Sequence, residues 1–473
     1  MPIHILLAML RFVNHFFDFI SWGSFDLETL HFAVLGHPIG HTMSPLIHSR
    51  LFSLSGTAAR YAALDVAPES LGDFLSGRGE WNGFNITIPH KRAIIPFLDL
   101  LDQKALLTGS VNTVRNEAGK LTGYTTDGDG FRLALEHAGV FLRDCRTVIL
   151  GAGGAARAMA FEAALAGGRV TVAAREHSLA AAKELCADLT RKIPGAAADA
   201  CPIGEISGGM DLLVNATPAG MYPNVNSCAA EEDLIRRAGC VFDAVYNPDE
   251  TMLIRLAEKN GIRAVRGMAM LVWQAAAAQT IWTGARFRAE EIGRLCGDAV
   301  LEMKKKFGNL VLCGFMGSGK TTVGRLLAEQ TGRRFLDMDQ WIEEKEGCSV
   351  AQIFTKRGES GFRALEREAA CELSRKTGLV IAAGGGALLD PENARALRSG
   401  GTVILLDASL NAVRSRLEGD RTRPLLRDGG GELERLYGAR LPVYRERAEV
   451  TVPADGSPEE TARLVLKALE PVR

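Results

Sequence analysis

From His31 onward, short apolar runs alternate with helical stretches along the chain. Phe32-Ala33-Val34-Leu35, Val148-Ile149-Leu150, Val170-Thr171-Val172-Ala173 and Leu212-Leu213-Val214 predict strands, and Ala275 to Ala278 falls in a helix. Strands separated by helices are the βαβ signature of an α/β fold with parallel sheets. The basic run Met303 to Gly308 predicts a linker (301–308), because a new strand, Leu310-Val311-Leu312, opens the same pattern again behind it. Two regions are therefore expected, 31–300 and 309–473, with neither internal repeats nor low-complexity tracts. Residues 1–30 stand apart. Ile3 to Leu10 is apolar and Phe16, Phe17, Phe19, Ile20 and Trp22 continue the trend, but Arg11, His15 and Asp18 make it too polar for a membrane span. It also lacks the basic start of a signal peptide. It reads as an amphipathic extension or as the product of a start codon placed too early.

Composition narrows the class. A chain of 473 residues, 47 % apolar and 23 % charged, is long enough for more than one core. A net charge of -1 offers no basic surface for nucleic acid. The nine cysteines are an odd number without a CxxC pair, which fits reduced thiols in the cytoplasm better than a disulfide framework or a zinc site. All nine histidines lie at or before His177, so no His/Cys metal cluster can form in the second half.

Two glycine-rich turns carry the first chemistry. Gly151-Ala152-Gly153-Gly154-Ala155 follows a strand and opens an alanine-rich helix. There the backbone can approach a pyrophosphate, which the free N–H groups of the helix start attract. The next strand ends at Ala174-Arg175-Glu176, at the distance where such folds recognise the adenosine ribose. Arg175 suits a 2′-phosphate and favours NADP(H); Glu176 would instead suit a free 2′-hydroxyl. The second turn, Gly314-Phe315-Met316-Gly317-Ser318-Gly319-Lys320-Thr321, fits GxxxxGK[ST] directly after a strand. Its N–H groups would cradle ATP phosphates, Lys320 would reach the β/γ oxygens and Thr321 would ligate Mg²⁺.

Polar clusters surround the first turn: Thr42-Met43-Ser44-Pro45, Asn85 to Lys91, Val111-Asn112-Thr113, Thr126-Asp127-Gly128, Asn215 to Met221, Tyr246-Asn247-Pro248 and Gly267 to Gln274. A lysine held by an aspartate can protonate a ketone oxygen as hydride reaches the carbon. Small hydroxyl and amide side chains can orient a polyhydroxylated acid. Taken in order, these clusters make the stretch from Phe32 to about Gly284 resemble shikimate dehydrogenase. The resemblance implies a substrate domain (31–130 and 267–300) and a Rossmann NADP-binding domain (131–266). It implies Lys91 and Asp127 as the catalytic pair, and Thr42, Ser44, Thr87, Asn112, Asp127, Tyr246 and Gln274 as substrate contacts. Gly151, Gly153, Gly154, Ala155, Arg175, Thr217 and Gly267 would bind the cofactor. Three positions depart from the family pattern. Thr42 and Thr125 stand where serine and asparagine are usual, and Ala174 replaces the asparagine that normally precedes the arginine. Thr42 keeps a hydroxyl but adds a methyl group that would narrow the pocket or alter preference for quinate. Histidines 37, 41 and 90 flank the site and read as structural.

Behind the second turn come Asp337-Met338-Asp339, Gly358 to Glu366, Gly384-Gly385-Gly386, Arg421 to Leu426 and Arg440-Leu441-Pro442-Val443-Tyr444. The stretch Leu310 to Leu469 resembles shikimate kinase, a P-loop α/β fold. The resemblance implies Asp339 and Lys320 as catalytic residues and Arg363 with Arg440 as a carboxylate clamp, for which guanidinium forks are suited. Asp339, Gly385 and Gly386 would also contact the substrate. Gly317, Ser318, Gly319, Lys320, Thr321, Thr322, Arg416 and Arg423 would meet the nucleotide, and Thr321 and Asp337 the Mg²⁺. Together the two resemblances imply consecutive reactions: NADPH-dependent reduction of 3-dehydroshikimate, then phosphorylation of the shikimate formed. The expected partners are these small molecules, without nucleic acid or membrane. Two alternatives stay open. One is a P-loop used as a non-catalytic switch, which leaves Arg363, Arg440 and the aspartates without a task. The other is a quinate/shikimate dehydrogenase fused to a kinase of another small alcohol.

Overall fold

The structure, a computed structural model, describes residues 29–40, 42–77, 80–222, 224–417 and 431–469. Most of the expected N-terminal extension and the expected nucleotide contact Arg423 lie outside the described residues. The chain divides into two compact units. The first comprises the described residues through Phe131 together with Val272–Ile292; the second comprises Arg132–Leu271 and the chain from Gly293.

The first unit is built on a six-stranded mixed sheet of β1 (Leu30–Gly36), β2 (Ala59–Asp65), β3 (Gly83–Ile86), β4 (Leu100–Leu101), β5 (Thr113–Glu117) and β6 (Lys120–Tyr124), in the order β2-β1-β3-β5-β6-β4. β1 runs parallel to both neighbours, and β3, β5 and β6 alternate in direction. One face of the sheet buries Ala33, Leu35, Phe84, Ile86 and Val114. The other presents Phe32 to Phe52 of helix Ser44–Ser55 and to Trp282, with ring centroids 5.3 and 4.5 Å apart. That alternation is why Phe32 to Leu35 of β1 are all apolar: both faces of a central strand are covered.

The second unit holds two parallel sheets. β7 (Arg146–Leu150), β8 (Arg169–Ala174), β9 (Ala197–Pro202), β10 (Met210–Asn215), β11 (Ala238–Asp243) and β12 (Arg263–Val265) lie in the order β12-β11-β10-β7-β8-β9. This is the doubly wound arrangement, whose strand order reverses between β7 and β10 and opens a crevice at their carboxyl ends. The other sheet orders β13 (Asn309–Cys313), β14 (Arg334–Asp337), β15 (Leu379–Ala382), β16 (Gly401–Asp407) and β17 (Val450–Pro453) as β14-β15-β13-β16-β17, all parallel. Its turns after β13, β14 and β15 all emerge at one end, which brings three separate motifs to one place.

The expected linker is not one. Residues 301–307 are the last turns of helix Ala289–Phe307, and Gly308 alone separates it from β13. Ile292, Leu295, Ala299 and Met303 are buried at helical spacing. Lys304, Lys305 and Lys306 stand in the last turn, where the helix macrodipole favours cations. The basic run is a helix end. No helix among the described residues is long and apolar enough to cross a membrane.

Candidate active sites

In the first unit, Lys91 sits in the one-turn helix His90–Ala93 behind β3, and Asp127 opens helix Asp127–His137. The Lys91 ammonium donates to Asp127 Oδ2 at 2.5 Å while Asn112 Nδ2 donates to Asp127 Oδ1 at 2.8 Å. Lys91 is 24 % and Asp127 15 % exposed, so the pair is sheltered but reachable by a small molecule. The Asn112 amide is itself held, its oxygen accepting from the Thr126 N–H at 2.7 Å and its nitrogen 3.4 Å from Gln274 Oε1. Thr42 Oγ1 donates to Ser44 Oγ at 3.1 Å. Thr87 ends β3, its N–H bonded to Leu35 O at 2.9 Å. Six of the expected contacts thus lie in the first unit with Lys91. Asn85 belongs with them: buried, it donates to Asn112 O at 3.2 Å and to Thr113 Oγ1 at 3.1 Å. The signal in the sequence was a polar side chain inside an otherwise buried strand.

In the second unit the turn after β7 has Gly151 at φ +104°, a conformation L side chains avoid. A Cβ there would also meet Thr217 Cγ2 at 2.9 Å, so the loop after β10 comes directly beside the glycine turn. Gly153 and Gly154 are exposed, and a Cβ on either would meet nothing within 4 Å, leaving room over the start of helix Gly154–Leu165 for an anion. Thr217 is braced by Asn215 Oδ1 at 2.7 Å, and Asn215 in turn donates to the buried Asp243 at 2.9 Å. Burial pushes the Asp243 carboxyl up to about 6, against the bonds it accepts from Thr251, the Val245 N–H and Asn215. Arg175 is exposed just beyond the end of β8, and its carbonyl accepts from the Ser178 N–H at 2.8 Å; Ala155 lies in the first turn of the helix. Gly267 is accounted for by packing, since a Cβ would collide with the carbonyls of Val245 and Ala244 at 2.5 and 2.7 Å. Tyr246 is half-buried in this unit, and burial raises its phenol.

The turns after β13, β14 and β15 line a cavity of about 580 Å³. Lys320 opens helix Lys320–Thr331 and donates to the carbonyls of Gly314 and Phe315 at 2.9 and 3.2 Å. Thr321 Oγ1 donates to Asp337 Oδ2 at 3.0 Å, and Asp337 Oδ1 caps the Asp339 N–H at 3.1 Å. Asp339 Oδ1 is buried without a partner among the described residues, and burial first, then the Asp337 charge, raises its carboxyl above the usual range. Across the cavity, Arg363 pairs with Glu366 and with Glu359. A Cβ on Gly386 would overlap the Arg363 guanidinium, so glycine is required for this approach. Arg440 and Arg416 line the same space, and Arg416 also donates to the carbonyls of Gly317, Asp455 and Gly456. Gly317, Gly319 and Thr322 lie along the cavity, with Ser318 buried beneath the loop. Two residues without an assigned role belong here. Glu366, 1 % exposed, holds Arg363, and Tyr444 donates to Gly385 O. Both were legible only as members of motifs.

Among the described residues no group of three or more His, Cys, Asp or Glu side chains is arranged to hold a metal. The Thr321–Asp337 pair, with the unpartnered Asp339 oxygen nearby, nevertheless suits Mg²⁺, which takes one or two protein oxygens and completes its shell with water and phosphate.

These features define a reductase joined to a P-loop phosphotransferase. Residues 34–114 match the family model described as shikimate dehydrogenase substrate binding domain, and residues 316–470 match that of shikimate kinase. The shikimate dehydrogenase (NADP(+)) of Methanocaldococcus jannaschii is 40 % identical over 264 residues, which are 55 % of this chain and 93 % of that protein. That of Moorella thermoacetica is 42 % identical over 57 % of this chain and 92 % of its own. The Thermus thermophilus shikimate 5-dehydrogenase, solved with NADP(H) and shikimate, is 34 % identical with a TM-score of 0.52, covering 57 % of this chain and 99 % of that one. The chain belongs to the shikimate dehydrogenase family and carries a shikimate kinase domain behind that part, which makes it a bifunctional enzyme of the shikimate pathway.

Proposed function

We propose that Lys91 and Asp127 carry out the first reaction and Asp339, Lys320, Arg363 and Arg440 the second. The observation that carries this reading is the pairing, in one chain, of the 2.5 Å Lys91–Asp127 contact with an arginine-lined cavity beyond a P-loop. NADPH supplies hydride to C3 of 3-dehydroshikimate; the Lys91 ammonium gives its proton to the 3-oxo oxygen, and Asp127, fixed by Asn112, keeps that ammonium aimed. Ser44, Thr42, Thr87 and Gln274 hold the ring and its carboxylate. In the second reaction ATP is the phosphoryl donor. The Asp339 carboxylate accepts the proton of the 3-hydroxyl, Lys320 neutralises charge on the transferring phosphate, and Thr321 and Asp337 would hold Mg²⁺, which would supply further positive charge there. Arg363, held by Glu366 and Glu359, and Arg440 line the same cavity and are the cations offered to a substrate carboxylate. The segments 31–130 with 267–300, 131–266 and 309–473 serve as substrate, cofactor and kinase domains, and the setting is cytoplasmic. One assay tests the whole reading: with 3-dehydroshikimate, NADPH and ATP-Mg²⁺ together, shikimate 3-phosphate accumulates. NADPH oxidation without phosphorylation would remove the kinase half.

Exposed Arg175 favours NADPH over NADH. Arg175→Ala is expected to raise KM for NADPH and narrow the preference, read from initial rates with both cofactors. Equal use of NADH by the parent enzyme would assign the ribose to Glu176 instead.

Arg363→Lys keeps the charge but loses the planar fork. Shikimate binding is expected to weaken about tenfold, the lower end for a charge-assisted bond, with ATP binding near normal by calorimetry. Unchanged shikimate affinity would take Arg363 out of the clamp.

A further inference from the structure

Lys91 stands in a helix of a single turn, His90–Ala93. A first turn fixes several backbone dihedrals for a single hydrogen bond, so it is unstable by itself. Where its lysine points is therefore set by what ties the turn to its surroundings. On one side the Val111 N–H donates to the Lys91 carbonyl at 2.8 Å, immediately before Asn112, which holds Asp127. On the other side the tie comes from the residue before the lysine. The His90 ring is fully buried, and its Nε2 lies 2.6 Å from the Val66 carbonyl oxygen. A carbonyl only accepts, so Nε2 carries a hydrogen and donates it. Val66 is itself fixed, its N–H bonded to Gly36 O at 3.1 Å where β1 ends. The His90 N–H donates to Thr87 O at 2.8 Å, just beyond the end of β3. His90 Nδ1, by contrast, is buried and has no partner among the described residues. An imidazole with one nitrogen unsatisfied is a costly way to fill a core, where an apolar side chain would leave no polar atom of its own unpaired. What the ring supplies that an apolar side chain would not is the bond to Val66.

We infer that His90 is a positioning residue of the dehydrogenase: through Nε2 and the Val66 carbonyl it holds the turn that aims the Lys91 ammonium at Asp127 and at the substrate oxygen. The inference rests on the reading of Lys91 as the proton donor.

The test is a set of variants of the full-length protein, read as the single-turnover rate of NADPH oxidation with 3-dehydroshikimate, KM for NADPH, kinase activity and thermal stability. His90→Met fills the space with an adaptable apolar chain and removes the donor. It is expected to slow the single turnover about three- to tenfold, the range for one net hydrogen bond, with KM for NADPH and kinase activity unchanged. His90→Gln places its amide nitrogen where Nε2 stood and should restore most of the rate. His90→Asn places its amide nitrogen at the height of Nδ1, cannot reach Val66 and should stay slow. In the Lys91→Ala background His90→Met should add little, because the group it positions is gone. If Lys91→Ala turns over at the parental rate, the reading of Lys91 fails and takes this inference with it. If Lys91→Ala is slow but His90→Met is not, or the two losses multiply in full, Lys91 stands and His90 is overturned as its positioning partner. Should His90→Met not fold, the two amides decide: glutamine no faster than asparagine overturns the role of the Val66 bond. A lower melting temperature with a parental single-turnover rate reduces His90 to packing.

Discussion

Lys91→Ala is expected to lower the turnover of 3-dehydroshikimate reduction by about 10²-fold or more, the usual scale for loss of a positioned general acid. The argument is geometric. Hydride addition places negative charge on the 3-oxygen, and the Lys91 ammonium, the proposed proton donor, is held in place by the Asp127 carboxylate. Removing it leaves Asp127 still bonded to Asn112 but without the cation it orients. Water must then protonate the alkoxide, unaimed. KM for NADPH should change little, because the glycine turn and Arg175 are separate from this pair. Phosphorylation of added shikimate should stay at the parental rate. Parental reduction by the mutant, measured as NADPH oxidation, would show that another group supplies the proton.

The converse experiment is Lys320→Ala. Its ammonium, resting on the carbonyls of Gly314 and Phe315, lies in the loop where the β- and γ-phosphates are cradled. Loss of one preorganised cationic donor to a developing charge costs on the order of 10²–10³-fold in rate. Here the substituted lysine also contributes to nucleotide binding, so phosphorylation should fall to background. Dehydrogenase activity should persist, since the Lys91–Asp127 pair and the turn at Gly151 are built from other strands. The measurement is shikimate 3-phosphate formation from added shikimate, alongside NADPH oxidation in the same preparation. A folded mutant that has lost both activities would overturn the model of two independent sites.

The sequence alone determined whatever is local. The turns at Gly151 and Gly314 are each a few consecutive residues between a strand and a helix, and their chemistry needs only backbone N–H groups and neighbouring side chains. The strands beginning at Phe32, Val148 and Leu310 followed from apolar runs that a doubly covered sheet demands. Locality also misled. Lys304-Lys305-Lys306 read as a linker because charge was visible, whereas the buried stripe Ile292, Leu295, Ala299 and Met303 that makes the segment helical extends well upstream of it. At Gly267 the lack of a Cβ is required by the carbonyls of Ala244 and Val245, over twenty residues away, a constraint no local pattern shows. Only the tertiary structure decided which oxygen of Asp127 takes Lys91 and which takes Asn112, and that Glu366 steadies Arg363. Hydrogen bonds act over about 3 Å and demand direction, so pairings between residues far apart in the chain exist only once sheet order and register have brought them together.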